Sequence, residues 1–477
     1  MLFAVPWTGV EQLLLALVCA LTLFFAIITP PFQAPDENQH YMKASWLAEG
    51  HMLTRQQGEL IGAPLPRAAL AIHAVDFPTD VAPTLRRFDK ADLKKSWAAD
   101  PHRPGIDFAD FPNVASYAPT LYAPGAAGLA LGDRMGLPRL GAFYAGRIVN
   151  ALTGLALLIA ALRLIPFGRT AMLGVALLPT FTYQTGSLSP DAVINGLGFV
   201  GLALALRTGF VRGGGIGLFL AAPLLALAKG VYLPLVAASL RWPQDRRDGR
   251  PLLILAAMAL GAIAFALWMK MSGGSQALYH IVSRRTGAAE MTAPLAAQLA
   301  IVTADPVAYA HILVSSIAER APVYALQIVG RFGWNAILLP LLAYPLAAAM
   351  LGAAVLSGSG MRFGAGQRLW WLTVAIGVAL LIETAMYLTG TPLGADYIQG
   401  TQGRYFLPLL PLVLLAIMPD QPLRGARATF AVTAILLSLI AAATVIDSFW
   451  LHGFVTSDGM PPHGSVGRAL LLPSPRW

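Results

Sequence analysis

The feature that most constrains this chain is a series of long apolar stretches that recurs along its 477 residues. A transmembrane helix needs about 20 consecutive apolar residues. The first stretch covers 10–29 and ends at two prolines. It lacks the small-residue cleavage site of a signal peptide, so we expect it to be retained. Only 12% of the residues are charged, whereas soluble domains carry about 25%. The chain is therefore predicted to be a polytopic helical membrane protein.

Arginines between the apolar stretches predict the direction of each span. Five short loops contain such arginines, and cytoplasmic loops are enriched in Lys and Arg, so we assign these loops to the cytoplasm. The arginines are Arg163 and Arg169, Arg207 and Arg212, Arg241, Arg246, Arg247 and Arg250, Arg362 and Arg368, and Arg424 and Arg427. The net charge of +9 thus reflects membrane orientation and does not indicate a nucleic-acid partner. The single Cys19 excludes an intramolecular disulfide and a multi-cysteine zinc site.

The pattern predicts an all-α fold of about eleven transmembrane helices with a cytoplasmic amino terminus and an outer carboxyl terminus. Nine spans are clear, near 10–29, 140–163, 169–186, 191–207, 251–271, 336–357, 369–389, 405–418 and 428–450. Residues 215–240 are apolar with basic residues at both ends, so we expect two short helices that turn at Lys229 and Gly230 near the outer face. A span over 117–132 would invert every later loop, so we expect an interfacial or half-inserted helix there.

The whole chain, 1–477, is predicted to form one membrane module with its extramembrane parts on the outer side. The largest part is an outer loop subdomain over 31–138 that contains the interfacial helices. Loops of this length cross the membrane largely regardless of their charge. A second outer loop is expected over 272–333 and an outer tail over 453–477.

The candidate catalytic residues follow the first span directly. Asp36 and Glu37 are adjacent carboxylates, and His40 lies one helical turn after Asp36. A carboxylate at the outer membrane boundary can act as a general base, because partial desolvation favours its protonated form. Two alternatives stay open: the acids could simply begin a helix, or the three residues could hold a metal ion.

Three cations are candidates for binding an anion such as a lipid phosphate or pyrophosphate. Lys229 lies inside an apolar stretch, where a charge is costly and usually faces a cavity or a partner, although it could also snorkel to the surface. Arg404 and Arg331 precede spans on the outer side, where positive charge is disfavoured without an anion. A guanidinium matches phosphate oxygens bidentately. For Arg404, an ion pair with an outer acid such as Asp396 is the alternative.

Further residues near the predicted outer interface could support the site. Arg147 and Asn150, one turn apart in the second span, are expected to hold Asp36 or Asp191 in place. Asp191 and Asn195 begin the fourth span, where helix capping alone would explain the acid. The aromatic candidates are Tyr117, Tyr122 and Tyr405. Such residues form an aromatic belt at the membrane interface or stack on sugar rings.

The order of these features resembles the GT-C glycosyltransferases. The shared elements are the acid pair after the first span, a Tyr-Ala-Pro-Thr-Leu-Tyr-Ala-Pro segment that leads to Arg147, and Ala228-Lys229-Gly230 after an apolar half-helix. The Pro-Pro pair that those enzymes carry before the second span is absent here. The chain is also similar to a family of uncharacterised bacterial membrane proteins related to that group, through PPFQAPDENQH, SLSPDAVIN and QGRYFLPLLP.

The resemblance implies an inverting glycosyltransferase of the bacterial inner membrane with a periplasmic active site. It would transfer a sugar from a polyprenyl-phosphate donor to a glycan or glycolipid acceptor, with Asp36 as the base and Lys229 and Arg404 on the departing phosphate. No cofactor is assigned, and a divalent metal is an open alternative. The rival function is a lipid-linked glycan flippase or transporter, which would be expected to have broken helices in both halves. The sequence indicates one break, at Lys229.

Overall fold

The computed structural model describes residues 6–58, 60–70, 72, 90–98, 104–211, 214–240, 249–273 and 295–451. Five groups of predictions lie wholly or partly outside the described residues. They are 59, 71, 73–89 and 99–103 of the outer loop subdomain, the 274–294 part of the second outer loop, the tail over 453–477, Arg212, and Arg241, Arg246 and Arg247.

Helices form most of the described structure. In chain order they are α1 (Gly9–Ile28), α2 (Glu37–Ala48), α3 (Arg67–Leu70), α4 (Lys90–Trp97), α5 (Ala123–Arg134), α6 (Arg139–Leu164), α7 (Arg169–Ala176), α8 (Pro179–Thr185), α9 (Asp191–Phe210), α10 (Gly215–Ala228), α11 (Arg250–Met271), α12 (Leu295–Ala304), α13 (Pro306–Val329), α14 (Ala343–Leu356), α15 (Ala365–Gly390), α16 (Leu410–Ile417) and α17 (Ala426–Ile446). Two longer 3₁₀ segments cover Gly230–Ser239 and Gly403–Leu409.

Within the described ranges, seven helices are long and apolar enough to cross a membrane: α1, α6, α9, α11, α13, α15 and Ala426–Leu451. Five further apolar helical segments are shorter. The multispanning architecture is therefore confirmed, whereas the count of eleven spans stays a prediction. Helix α9 lies at the centre of the bundle, since nearly all of its residues are buried.

Two small β-sheets accompany the helices, so the predicted all-α fold is corrected to a mostly helical one. Strands β1 (Arg55–Gln57), β2 (Leu60–Pro66) and β3 (Ile106–Asp110) form an antiparallel sheet in the order β1-β2-β3. Strands β4 (Arg331–Phe332) and β5 (Ile337–Leu338) form a hairpin. Because β2 contains two prolines and β1 has three residues, their sequences carry no clear alternating pattern.

The described arginine-bearing loops gather at one end of the bundle, which we call the arginine end. The N–H of Gly168 donates to the carbonyl of Ser359, and the N–H of Ser359 donates to the carbonyl of Pro419. Arg250 donates to the carbonyl of Gly209 in the last turn of the central helix α9. This clustering agrees with the predicted alternation of loops. We call the other end, where α1 and α15 end and α9 begins, the distal end.

Several arginines at this end also close helix termini. Arg169 Nε donates to the carbonyl of Leu162, in the last turn of α6. Arg368 Nη1 donates to the carbonyl of Met418, directly after α16. The last carbonyls of a helix have no partner within it and carry partial negative charge, so a guanidinium satisfies both needs. Residues that orient the chain therefore also stabilise the bundle.

Residues 215–239 form a hairpin inside the bundle, as the charge pattern predicts. Helix α10 ends at Ala228, the backbone becomes extended at Lys229, and the 3₁₀ segment Gly230–Ser239 returns. The indole of Trp371, near the start of α15, donates to the carbonyl of Ala238. The returning 3₁₀ arm of the hairpin therefore ends at the arginine end. Each arm spans about 20 Å. The tip, with Lys229, therefore lies about 20 Å from the arginine end, toward the distal end.

Helix α5 covers most of the stretch that was predicted to be interfacial. Its 12 residues extend about 18 Å, which is too short to cross a bilayer. The helix packs directly on α6: a Cβ at Gly128 would lie 2.5 Å from the carbonyl oxygen of Ala145. At Gly132 a Cβ would lie 2.6 Å from the Cα of Ala142. Glycine is required at these positions because the two backbones touch.

Helix α13 lies in the range that the sequence analysis assigns to an outer loop, 272–333. Its 24 residues are long and apolar enough to span a membrane. Near its beginning, Tyr309 Oη donates to Thr384 in the distal part of α15. Near its end, Gln327 accepts from the N–H of Gly403, just before the cavity described below. Both parts of α13 therefore contact the distal side, but a helix of this length and apolarity was not predicted within the outer loop.

Candidate functional site

A cavity of about 540 Å³ lies at the distal end of the bundle. Six different segments meet there: the loop subdomain, the start of α9, the tip of the 215–239 hairpin, the distal part of α11, the distal part of α15, and the start of the 3₁₀ segment Gly403–Leu409. The ionisable side chains that line it are Asp36, His40, Tyr117, Asp191, Lys229, Tyr232, Arg404 and Tyr405. The cavity thus unites most of the residues that the sequence singles out.

Asp36 occupies the N-cap position of α2 but does not act as a cap. Its backbone is in the left-handed region, with φ at 60°, and its side chain makes no capping hydrogen bond. A non-glycine residue in this region costs free energy and is retained where the surrounding structure demands it. The carboxylate turns to the cavity instead, where Oδ2 lies 3.3 Å from Nη2 of Arg404. Helix initiation therefore does not account for this acid.

Arg404 lies between two carboxylates. Besides Asp36, its Nε lies 3.4 Å from Oδ2 of Asp191, at the first turn of α9. The residue is 8% exposed, and its Nη1 has no hydrogen-bond partner among the described residues. A buried guanidinium nitrogen without a partner carries a desolvation cost that an additional acceptor would remove. The group is thus placed to receive an anion from the cavity.

Lys229 is the second cation of the cavity. Its Nζ lies 3.7 Å from the ring centroid of Tyr405, a cation–π contact. Among the described residues, no carboxylate oxygen is close enough to form an ion pair with it. The ring of Phe265 on α11 packs on Gly230 at the hairpin tip. Lys229 therefore presents positive charge without a neutralising acid.

His40 and Tyr117 line the cavity on the loop-subdomain side, and Tyr122 contacts His40 without lining the cavity. His40 Nδ1 lies 2.9 Å from the hydroxyl of Tyr122. Burial lowers the pKa of His40 to about 3, although Asp191 acts in the opposite direction. Burial, followed by Tyr405 and Asp36, raises the pKa of Tyr117 above its ordinary value. Both groups are therefore neutral near pH 7 and serve as hydrogen-bond partners.

Glu37, the other catalytic candidate, is turned away from the cavity. It is completely buried and pairs with Arg147, whose Nε and Nη2 bind its two carboxylate oxygens at 2.7 and 2.6 Å. The N–H groups of Phe32 and Leu188 donate to the same carboxylate. Both carboxylate oxygens of Glu37 therefore accept hydrogen bonds that hold the fold together. The prediction that Arg147 holds Asp36 or Asp191 is therefore wrong, because Arg147 binds Glu37.

The remaining candidates do not line the cavity. Asn150 donates to the carbonyls of Ser187 and Ser189, and so holds the turn that precedes Asp191. Asn195 is buried on α9 but does not line the cavity. Arg331 begins β4 and does not line the cavity, so the structure does not bring it together with Lys229 and Arg404 as the prediction required.

Sequence reasoning missed several residues of the cavity. Tyr232 lines it and donates its hydroxyl hydrogen to the carbonyl of Tyr405. Trp268, near the end of α11, donates to the carbonyl of Ser116 in the loop subdomain. Each lies in or beside an apolar stretch, where an aromatic belt is the ordinary explanation. Only their contacts with distant segments distinguish them.

A comparison with protein families agrees with the membrane architecture. Residues 19–413 match DUF2142, a family of predicted membrane proteins. The chain belongs to the DUF2142 family. No curated protein and no solved structure matches it. The match includes all the charged residues that line the cavity of this DUF2142 protein, from Asp36 to Arg404.

The cavity of this DUF2142 protein combines two carboxylates with two cations in a largely apolar wall. Within the described residues, no group of three or more His, Cys, Asp or Glu side chains could hold a metal ion. The metal alternative loses Glu37 as a ligand, since that carboxylate binds Arg147. Proton transfer by a carboxylate and stabilisation of an anion by cations are the chemistry that these side chains can supply.

Proposed function

We propose that this DUF2142 protein is an inverting glycosyltransferase of the bacterial inner membrane with a periplasmic active site. Its donor would be a polyprenyl-phosphate sugar, and its acceptor a cell-envelope glycan or glycolipid. The observation that carries the proposal is the meeting of Asp36, Lys229 and Arg404 in one cavity at the distal end. The resemblance to GT-C enzymes assigns these residue types the same roles.

The proposed reaction is a single displacement. Asp36 accepts the proton of the acceptor hydroxyl while the hydroxyl oxygen forms a bond to the anomeric carbon. The bond between that carbon and the phosphate oxygen breaks, and the electron pair leaves with the lipid phosphate. Lys229 and Arg404 stabilise the charge of the departing phosphate. A lipid phosphate is a good leaving group, so one base and two cations suffice.

The apolar wall of the cavity supports a lipid donor. Phe265 and Met269 come from α11, and Ile382 and Met386 from α15. Both helices expose most of their remaining surface, as expected for helices that face lipid. A prenyl chain could lie against this wall by burial of apolar surface, while its phosphate lies near Lys229.

The flippase alternative gains one observation. Besides the break at Lys229, the structure has interruptions between α7 and α8 and at the 3₁₀ segment Gly403–Leu409. Broken helices in both halves are typical of transporters. A transporter site is expected near the midplane, however, whereas the charged lining of this cavity comes from the distal ends of its segments. The enzyme therefore remains the better-supported proposal.

The proposed base is tested by Asp36→Asn in purified protein supplied with polyprenyl-phosphate sugars and envelope glycolipids. The substitution keeps the size of the side chain and removes the proton acceptor. Transfer should fall about 10²- to 10⁴-fold. Asp107→Asn is the matched control, because Asp107 is an exposed acid of β3 that pairs with Arg67. It should keep full activity.

Binding of the donor in the same preparations separates the two functions. Asp36→Asn should still bind the donor lipid, whereas Lys229→Met should bind it about 10-fold more weakly, because a charge-assisted contact is lost. Normal transfer by Asp36→Asn would reject the mechanism. Translocation of the lipid without any glycosylated product would favour the flippase.

A further inference from the structure

The chain that leads to Arg404 is held by side chains of other elements. Residues 391–402 contain no helix or strand. Three polar side chains from α12 and α13 accept hydrogen bonds from backbone N–H groups at or just after this segment. The pairs are Gln298 with Gly394, Ser316 with Ile398, and Gln327 with Gly403. These contacts therefore position the chain that enters the 3₁₀ segment at Arg404.

Glu383 on α15 contributes the most unusual of these contacts. It is completely buried, and its Oε2 accepts a hydrogen bond of 2.8 Å from Oγ1 of Thr401. Within the described part of the chain, no Lys, Arg or His nitrogen is near enough to form an ion pair with it. A carboxyl group inside a membrane span is costly, and such residues are usually functional. The proposed reaction leaves this group without a role.

We propose that Glu383 is a positioning residue that holds Arg404 in the cavity through Thr401. This inference rests on the proposed function, because Arg404 is there assigned to the donor phosphate. Thr401 is three residues before Arg404, so the hydrogen bond fixes the chain from the α15 side. On the other side, a Cβ at Gly403 would lie 2.5 Å from the carbonyl oxygen of Tyr324, so the chain packs directly on α13. The two helices clamp the segment between them.

The clamp supplies what a bidentate anion contact needs, a guanidinium with a fixed direction. Arg404 already contacts Asp36 and Asp191 at 3.3 and 3.4 Å, near the upper limit for such contacts. A released segment would let the guanidinium move fully onto one carboxylate. Its free Nη1 would then no longer face the donor phosphate.

The experiment uses the full chain in detergent and decaprenyl phosphate as the binding probe. Glu383→Leu and the milder Thr401→Val should each weaken probe binding about 10-fold, because a charge-assisted contact is lost when Arg404 is misplaced. Glu383→Gln and Thr401→Ser should bind like the parent protein, since each keeps the hydrogen bond. Thr373→Val is the matched control on α15: its exposed hydroxyl donates to the carbonyl of Leu369 in its own helix.

A double-mutant cycle with Arg404→Gln distinguishes positioning from a general structural role. If Glu383 acts through Arg404, then Glu383→Leu should cause no further loss of probe binding in the Arg404→Gln protein. Full additivity of the two losses would overturn the proposal. Unchanged binding by both Glu383→Leu and Thr401→Val in the parent background would overturn it as well.

A second measurement separates this inference from the proposed function. Hydrogen–deuterium exchange of the peptide over 391–404 should accelerate in Glu383→Leu and Thr401→Val, without any ligand present. If the parent protein fails to bind the probe, the donor assignment fails, whereas the exchange result still decides whether Glu383 holds the segment. Unchanged exchange in both variants would refute the clamp.

Discussion

Two neighbouring acids, Asp36 and Glu37, have opposite environments although they are adjacent in the chain. Glu37 begins α2 and is fully buried against Arg147, with every oxygen hydrogen-bonded. Removal of one partner of such a pair leaves an uncompensated buried charge and is strongly destabilising. Asp36 takes a left-handed backbone that turns its carboxylate to the cavity. Asp36, with its strained backbone, is therefore the candidate for catalysis, whereas Glu37 stabilises the fold.

At the residue scale, Lys43 gives a prediction about pH. It is 2% exposed on α2, where its Nζ donates to the carbonyl of Ala115, and burial lowers its pKa from 10.5 to about 8. Below pH 8 the folded state must therefore keep a buried charge. Between pH 8 and 10.5 the unfolded state binds more protons than the folded state, so stability rises with pH.

Lys43→Met should therefore stabilise the protein near pH 7 and lose that advantage by about pH 10.5, where the variant lacks only the hydrogen bond. Thermal unfolding in detergent across this pH range measures the effect. Lys94→Met is the control, because Lys94 is exposed on α4. A constant difference between Lys43→Met and the parent protein at all pH values would contradict the prediction.

At the scale of elements, the site depends on helices that are interrupted. Helix α10 stops at Lys229 and the 3₁₀ segment Gly403–Leu409 begins beside Arg404, so both cations lie where a helical segment begins or ends. Backbone groups at such positions are free to form irregular contacts only where protein surrounds them. The breaks thus bring charged side chains into an apolar layer without exposing backbone to lipid.

The packing of α5 on α6 gives a prediction at this scale. Gly128→Ala places a methyl group against the carbonyl of Ala145, and because the obstacle is backbone, the helices must separate. We expect a loss of about 1–3 kcal/mol in stability, as is typical for overpacking. A lower midpoint of thermal unfolding would show it.

The matched control is Gly377→Ala on α15, where, apart from the helix's own nearby backbone, no atom of the described residues lies within 4 Å of the added methyl group. This change should be neutral or stabilising by up to about 1 kcal/mol, since alanine favours helices. Equal midpoints for Gly128→Ala and the parent protein would mean that the α5–α6 contact is looser than the structure indicates.

At the scale of the whole molecule, the clustering of arginines predicts orientation. The arginine end should face the cytoplasm and the distal end the periplasm. Single cysteines in a Cys19→Ala background test this with a membrane-impermeant maleimide on right-side-out spheroplasts. Ile106→Cys, in exposed β3 of the loop subdomain, should react at once. Leu423→Cys, in an exposed loop of the arginine end, should react only after permeabilisation. The reverse pattern would place the cavity in the cytoplasm.

Much of the architecture could be predicted from local sequence. Apolar runs indicated the spans, flanking arginines indicated which loops share an end, and basic residues on both sides of 215–240 indicated a hairpin with Lys229 at its turn. The small sheets and the apolar α13 escaped prediction. β1 and β3 are short and β2 contains two prolines, while α13 contains Glu319 and Arg320 near its middle. Hydropathy and periodicity depend only on residues that are close in sequence, so they did not indicate these elements.

The sequence by itself therefore determined that this is a multispanning protein with acids and cations at the boundaries of its apolar stretches. The tertiary structure alone decided which of them meet. Arg404 contacts Asp36 across 368 positions of the chain, while Glu37 leaves the site for Arg147, 110 positions away. Such pairings depend on how whole helices pack and where backbones break. No local pattern encodes them, because a carboxylate at the end of a span looks the same whether it anchors the fold or faces the cavity.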